Sequence, residues 1–254
     1  MVGRGNAVGV TGVRSIVGMS TLGLAAVLSL GPAAWAGTGA PPPTGTVVHG
    51  LIEQGAVSQV EPPEKLAALQ QVRAGNITSG AVGATAAAVM ASRVLTVATQ
   101  VQQTPYWCSP ASGRTALSAL VASTSLPSQT TLASRMGTTS AGTVVTSIGP
   151  ALNAYQSKNY YVYVNGLLLD AYRSRVQTDI GTYGAPLNNP VEMSRLPWYA
   201  GTGISGGHDI ATYGYYTATK YWQMHVHDPW DNIRHTYVNS GTLYDASISH
   251  SLIW

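Results

Sequence analysis

A single cysteine, Cys108, stands in a chain of 254 residues. No internal disulfide can form, so the fold must be held by a buried core alone. The start of the chain sharpens the constraint. Arg4 and Arg14 are the only Lys, Arg, Asp or Glu residues before Glu53, and an apolar run extends from about Ser15 to Leu30. Gly31-Pro32-Ala33-Ala34-Trp35-Ala36 then places small residues at Ala34 and Ala36, where a signal peptidase reads them. Residues 1–36 are expected to be a secretory signal peptide. Gly18, Gly23, Gly31 and Pro32 break the run, and a Pro-rich spacer follows it, so cleavage is expected over a retained anchor. With no cysteine near the cleavage point, a lipoprotein is excluded. The mature chain is expected to be secreted, extracellular or cell-wall associated, with no stable membrane association after signal removal. A lone thiol in an oxidising compartment is a liability unless it has a task, and the natural task is nucleophile.

Charge excludes one class of partner. Without Arg4 and Arg14 the thirteen basic residues become eleven, against ten acidic, and no Lys/Arg cluster occurs, so no nucleic acid is expected as a partner. About 220 residues remain after cleavage, enough for one well-cored domain and a leading segment. Residues 37–93 contain no Phe, Trp or Tyr and include Gly37-Thr38-Gly39-Ala40-Pro41-Pro42-Pro43. They read as a low-complexity linker or pro-segment with two small helices, one near Lys65–Arg73 and one near Ala81–Ser92.

Residues 94–254 are expected to form the working domain. Val94–Val101 predicts a short strand. Ser109–Ala122 predicts a helix with Ser109 as its cap and Pro110 in its first turn. Further helices are expected over Ser128–Met136, over Thr143–Gln156 with a kink at Pro150, and over Leu167–Ile180, with a weak strand at Tyr160–Val164. Gly207–Tyr216 and Tyr221–Asp228 read as two strands joined by a short turn, hence an antiparallel hairpin. Helices followed by an antiparallel sheet make an α+β fold.

A nucleophilic thiol needs a favoured thiolate, a base and donors for an oxyanion. Cys108 stands where the helix begins, so free N–H groups and the helix dipole favour its thiolate. Of six histidines, His208 has the best placement for a base, following the Ser205-Gly206-Gly207 loop and entering an apolar strand. Asp228 ends the next strand. A hairpin brings His208 beside it, since a spacing of twenty residues fits two strands of about eight and a turn. Gln102 and Gln103, just before Cys108, are available as oxyanion donors. His225 and His227 share one strand face, but a metal site would need a third ligand, which His235 would have to bring from the following strand. No metal and no cofactor is expected.

Gln102-Gln103-Thr104-Pro105-Tyr106-Trp107-Cys108-Ser109-Pro110-Ala111, Gly207-His208 and His227-Asp228-Pro229-Trp230, in that order, resemble the papain-like cysteine peptidases of the bacteriocin leader-processing (peptidase C39-like) type, in their secreted stand-alone branch. The resemblance covers roughly Val94 to Trp254 and implies a papain-like fold, with the catalytic helix packed on an antiparallel sheet. It implies Cys108 as nucleophile, His208 as base, Asp228 as its orienter and Gln102 as oxyanion donor, with a protein or peptide substrate. Two positions depart from the family: Ser109 stands where Gly is usual, and Asp209 where an apolar residue is usual. A peptidoglycan amidase or endopeptidase is an alternative using the same chemistry. A catalytically silent surface binding module is another. Neither oligomeric state nor cleavage specificity is legible.

Overall fold

In the computed structural model the described residues are 45–75, 92–218 and 221–254. The expected signal at residues 1–36, the residues that follow it to 44, and most of the Ala81–Ser92 stretch lie outside them. In chain order the elements are β1 Leu51–Ile52, α1 Pro63–Arg73, β2 Ser92–Val94, α2 Cys108–Leu117, α3 Gln129–Met136, β3 Thr143–Val144, α4 Val145–Asn153, β4 Tyr163–Val164, α5 Leu169–Thr178, β5 Leu187–Glu192, β6 Gly207–Tyr216, β7 Gln223–Asp228, β8 Ile233–Asn239, α6 Ser240–Ala246 and β9 Leu252–Ile253. The main sheet runs β4-β9-β5-β6-β7-β8, and β2 pairs with the end of β6 that β5 leaves free. Every pairing in it is antiparallel, so the expected α+β class holds. Among the described residues no helix is long and apolar enough to cross a membrane.

Two apolar clusters hold these layers. One joins the sheet to α5 and α6 through Tyr172, Val176, Leu187, Ile210, Val226 and Leu243. The other fills the space among α2, α3 and α4 with Leu117, Leu132, Met136, Ile148 and Leu152. Helix ends follow local chemistry. Ser128 caps α3 by accepting the Thr131 N–H at 3.1 Å, and Gly137 ends it in the left-handed conformation. In α2 the cap position falls on Trp107, which makes no side-chain cap bond. Ser109, expected as the cap, lies inside the helix. The helix stops at Leu117, short of the expected Ala122. The Ser118 hydroxyl donates to the Thr115 carbonyl at 2.6 Å and accepts the Ala98 N–H at 2.8 Å, competing with the helical ladder.

Pro150 does not break α4. Its missing N–H leaves the carbonyl of Thr146 without its helical donor, and Gln59 Nε2 donates to that oxygen at 3.1 Å. The strand expected over Val94–Val101 is only Ser92–Val94, because the chain then leaves β6 for α2. Tyr160–Val164 reduces to Tyr163–Val164, and Leu167–Ile180 to Leu169–Thr178 followed by a wide turn over Asp179–Tyr183. Strand β5, Leu-Asn-Asn-Pro-Val-Glu, was not expected at all. Pro190 is tolerated because β9 pairs with β5 only at Asn188, leaving little ladder on that side for the missing N–H to serve.

The largest departure concerns residues 45–75, read from sequence as part of a linker or pro-segment. They are built into the same unit as the rest of the described chain. Strand β1 pairs in parallel with β3. Helix α1 lies on α5, where Glu61 meets Arg175 at 2.8 Å and Lys65 meets Asp179 at 2.8 Å. Val48, Leu69 and Val72 are buried. Aliphatic side chains and one buried lysine do the anchoring that the missing aromatic residues seemed to rule out.

Candidate active site

Strands β6 and β7 form the expected hairpin, with Ala211 opposite His227. His208 near the start of one and Asp228 at the end of the other meet with Nε2 and Oδ1 2.8 Å apart. Asp228 is fully engaged. Its Oδ1 also accepts the Trp230 backbone N–H at 2.9 Å, and its Oδ2 accepts the Trp198 indole N–H at 2.9 Å. The Trp230 ring stands edge-on to the imidazole, with centroids 6.3 Å apart. His208 Nδ1 is buried and makes no hydrogen bond.

Cys108 is the first residue of α2. That helix is fastened to the hairpin by polar contacts along its length. The Ser112 hydroxyl donates to the Asp209 carbonyl at 2.8 Å, and the Thr115 hydroxyl lies 3.2 Å from His227 Nδ1. His227 Nε2 is 3.0 Å from Asn232 Oδ1, so both ring nitrogens of His227 are occupied structurally. His225 packs between Tyr213 and Tyr237. Among the described residues, the set able to converge on a cation is Asp228, Asp231 and His235, of which Asp228 already accepts three hydrogen bonds.

Gln102 is wholly buried. Its backbone N–H donates to the Pro229 carbonyl at 2.8 Å, tying the segment before Cys108 to the one after Asp228. One of its two side-chain N–H groups goes to the Thr104 carbonyl at 2.8 Å. Gln129 holds the same segment from the other side. It accepts the Gln103 N–H at 3.0 Å and donates to the Val101 carbonyl at 2.8 Å.

Electrostatics favour a charged pair. Burial opposes an imidazolium at His208, but the Asp228 charge and hydrogen bond, and then Cys108, raise its pKa above the ordinary histidine value. Burial likewise opposes a carboxylate at Asp228, yet the His208 charge and three donors hold its pKa below the usual range. Asp209 behaves oppositely. It is buried with only partial compensation from Asn188, the His208 charge and Ser109, and is pushed up to about 6.

Thus Cys108, His208 and Asp228 come to one end of the hairpin and helix, with Gln102 in the irregular segment leading into that helix. Sequence reasoning missed Trp198, which lies thirty residues from its carboxylate partner in a short Pro-Trp-Tyr turn and carries no periodic signal. It also missed Gln129, whose role exists only because α3 folds back on residues 101–103. The third omission was Gly50, whose carbonyl accepts from the Cys108 thiol at 3.3 Å across 58 residues.

A family model described as the Peptidase_C39 like family matches residues 94–246, more than half of the chain. No curated protein matches it.

Proposed function

The chain belongs to the Peptidase_C39 like family, and on that premise we propose that it is a secreted cysteine peptidase that hydrolyses peptide bonds through Cys108, His208 and Asp228. Family membership supports a cysteine peptidase or a related function acting on peptide or protein; the triad and its chemistry are our reading. The observation that carries it is the buried His208–Asp228 contact of 2.8 Å, with the opposite ring nitrogen left without a hydrogen bond and Cys108 among the groups favouring the charged ring. His227, next to Asp228 on the same hairpin, has both of its ring nitrogens engaged.

In this reading the Cys108 thiolate attacks the carbonyl carbon of the scissile bond. The developing oxyanion takes hydrogen bonds from the Cys108 backbone N–H and from Gln102. The His208 imidazolium, held by Asp228 through Nε2, gives its Nδ1 proton to the leaving amine. The amine departs and a thioester remains. Neutral His208 then draws a proton from water, which attacks the thioester and releases the carboxylate product and the thiolate. No cofactor is required by these steps.

Incubation with casein tests the proposal. Fragments are expected from the wild-type chain and none from Cys108→Ala, with the rate falling about 10³-fold or more in His208→Ala. Equal fragmentation by Cys108→Ala would end the proposal.

A further inference from the structure

Both proposed reacting groups are closed off: Cys108 and His208 have no exposed surface. What covers the thiol is the protein's own chain. From Gly45 to Ile52 an extended segment runs between the loop that precedes His208 and the turn that precedes β3. On the His208 side Gly45 N–H donates to Thr202 O at 3.1 Å, Val48 N–H to Ser205 O at 2.7 Å, and Gly50 N–H to Gly207 O at 3.1 Å. Ser205 N–H returns a bond to Thr46 O at 3.1 Å. On the other side Thr143 N–H donates to Gly50 O at 3.1 Å, and Leu51 and Ile52 continue as β1 beside Thr143 and Val144. Side chains alternate as in a strand: Val48 and Gly50 face inward while Val47 and His49 are exposed.

The groove is walled by glycine. A Cβ on Gly206 would stand 2.1 Å from Val48 O, one on Gly207 2.9 Å from Leu51 O, and one on Gly142 2.7 Å from the Gly50 carbonyl carbon. Such close approach of backbone to backbone is how a sheet edge accepts an added peptide strand. The occupant meets the wall with a glycine of its own: a Cβ on Gly50 would lie 2.4 Å from Cys108 Sγ and 3.1 Å from Gly207 O. Yet the occupant is not set for cleavage. The Gly50 oxygen accepts from the Thr143 N–H at 3.1 Å and from the Cys108 thiol at 3.3 Å, so the thiol faces the carbonyl oxygen as a donor, and one Gln102 side-chain N–H is given to Thr104 O. Beyond Ile52 the segment is anchored through Glu61–Arg175 and, from α1, through Lys65–Asp179.

We infer that Thr46–Ile52 is a tethered occupant of this protein's own peptide-binding groove, and that an outside peptide, read mainly through its backbone, gains access only when this segment is displaced. The identity of the groove rests on the peptidase reading; the occupancy itself does not. A tether of this kind raises the local concentration of the segment to the order of millimolar, so it outcompetes dilute peptide.

Gly50→Ala tests the inference, because its methyl group cannot coexist with Cys108 Sγ at 2.4 Å. Iodoacetamide labelling of Cys108 in the folded protein is expected to be slow in wild type and about tenfold or more faster in Gly50→Ala, with casein hydrolysis rising in parallel. An unchanged labelling rate in folded Gly50→Ala overturns the inference whatever casein does. Faster labelling without hydrolysis supports the occupant and counts against the peptidase. Should Gly50→Ala fail to fold, the wild type decides alone. The Val48 and Gly50 amides and the Cys108 thiol are expected to share one opening reaction, all accelerating together in sub-denaturing urea. A thiol that labels at the rate of an unfolded chain without urea overturns the inference.

Discussion

Two buried ion pairs, His208–Asp228 at the head of the hairpin and Lys65–Asp179 beneath α1, have the same 2.8 Å separation and essentially no exposure. Their charges behave in opposite ways. At the hairpin, mutual attraction and three donors to Asp228 overcome burial, and both groups are driven toward the ionised form. Beneath α1, burial dominates: it lowers the Lys65 pKa and raises that of Asp179 despite their attraction. The surroundings explain the contrast. Lys65 lies over the rings of Trp254, Tyr161 and Tyr183, the nearest centroid at 4.1 Å, and donates to the Tyr160 carbonyl, while Asn159 donates to Asp179. A pair enclosed by rings fastens one element to another. A pair that keeps one nitrogen unbonded beside a thiol is what the proposed proton transfer requires.

The largest expected effect breaks the hairpin pair while leaving its shape. Asp228→Asn keeps acceptor and size but not charge, and casein hydrolysis is expected to fall about 10³-fold with the chain still folded. A loss below tenfold would place Asp228 outside the chemistry. Next comes Lys65→Met, which strands Asp179 as an unpaired buried charge. Urea midpoints are expected to report a loss of about 3–5 kcal/mol, largely recovered in Lys65→Met/Asp179→Leu. If the single variant costs nothing, α1 is not fastened by this pair.

The pairs should also differ with pH. The raised His208 value contributes stability that is complete below the unfolded pKa of about 6.5 and disappears as pH rises through the folded value. The lowered Asp228 value contributes stability present above about 3.9 and lost as pH falls through the folded value. The difference in urea midpoint between wild type and His208→Gln is therefore expected to peak between about pH 4 and 6.5. A difference independent of pH would mean the pair is not ionised.

Much of this site was readable because its signals are local and periodic. The β6 boundaries and the hairpin that joins His208 to Asp228 follow from alternation and a spacing of twenty residues. What escaped was set by partners distant in sequence. Asn188 and Asn189 lie in a buried strand that was not expected, where Asp209 and the Thr212 hydroxyl across the ladder bond their side chains. Residues 45–75 lack the aromatic content that marks a core, and their anchors are a lysine, a glutamate and backbone groups. Gly50 in isolation says nothing. Its meaning comes from Cys108 and Gly207 standing on either side of it.

Strand β9 has a consequence for how the molecule is made. Leu252 and Ile253 lie between β4 and β5, and Trp254 forms the floor under Lys65 and exchanges backbone bonds with Val162. A ribosome that has emitted residues up to Ala246 has therefore released a chain whose sheet still has a gap in it. Until residues 252–254 emerge, β4 has no neighbour and α1 has no floor.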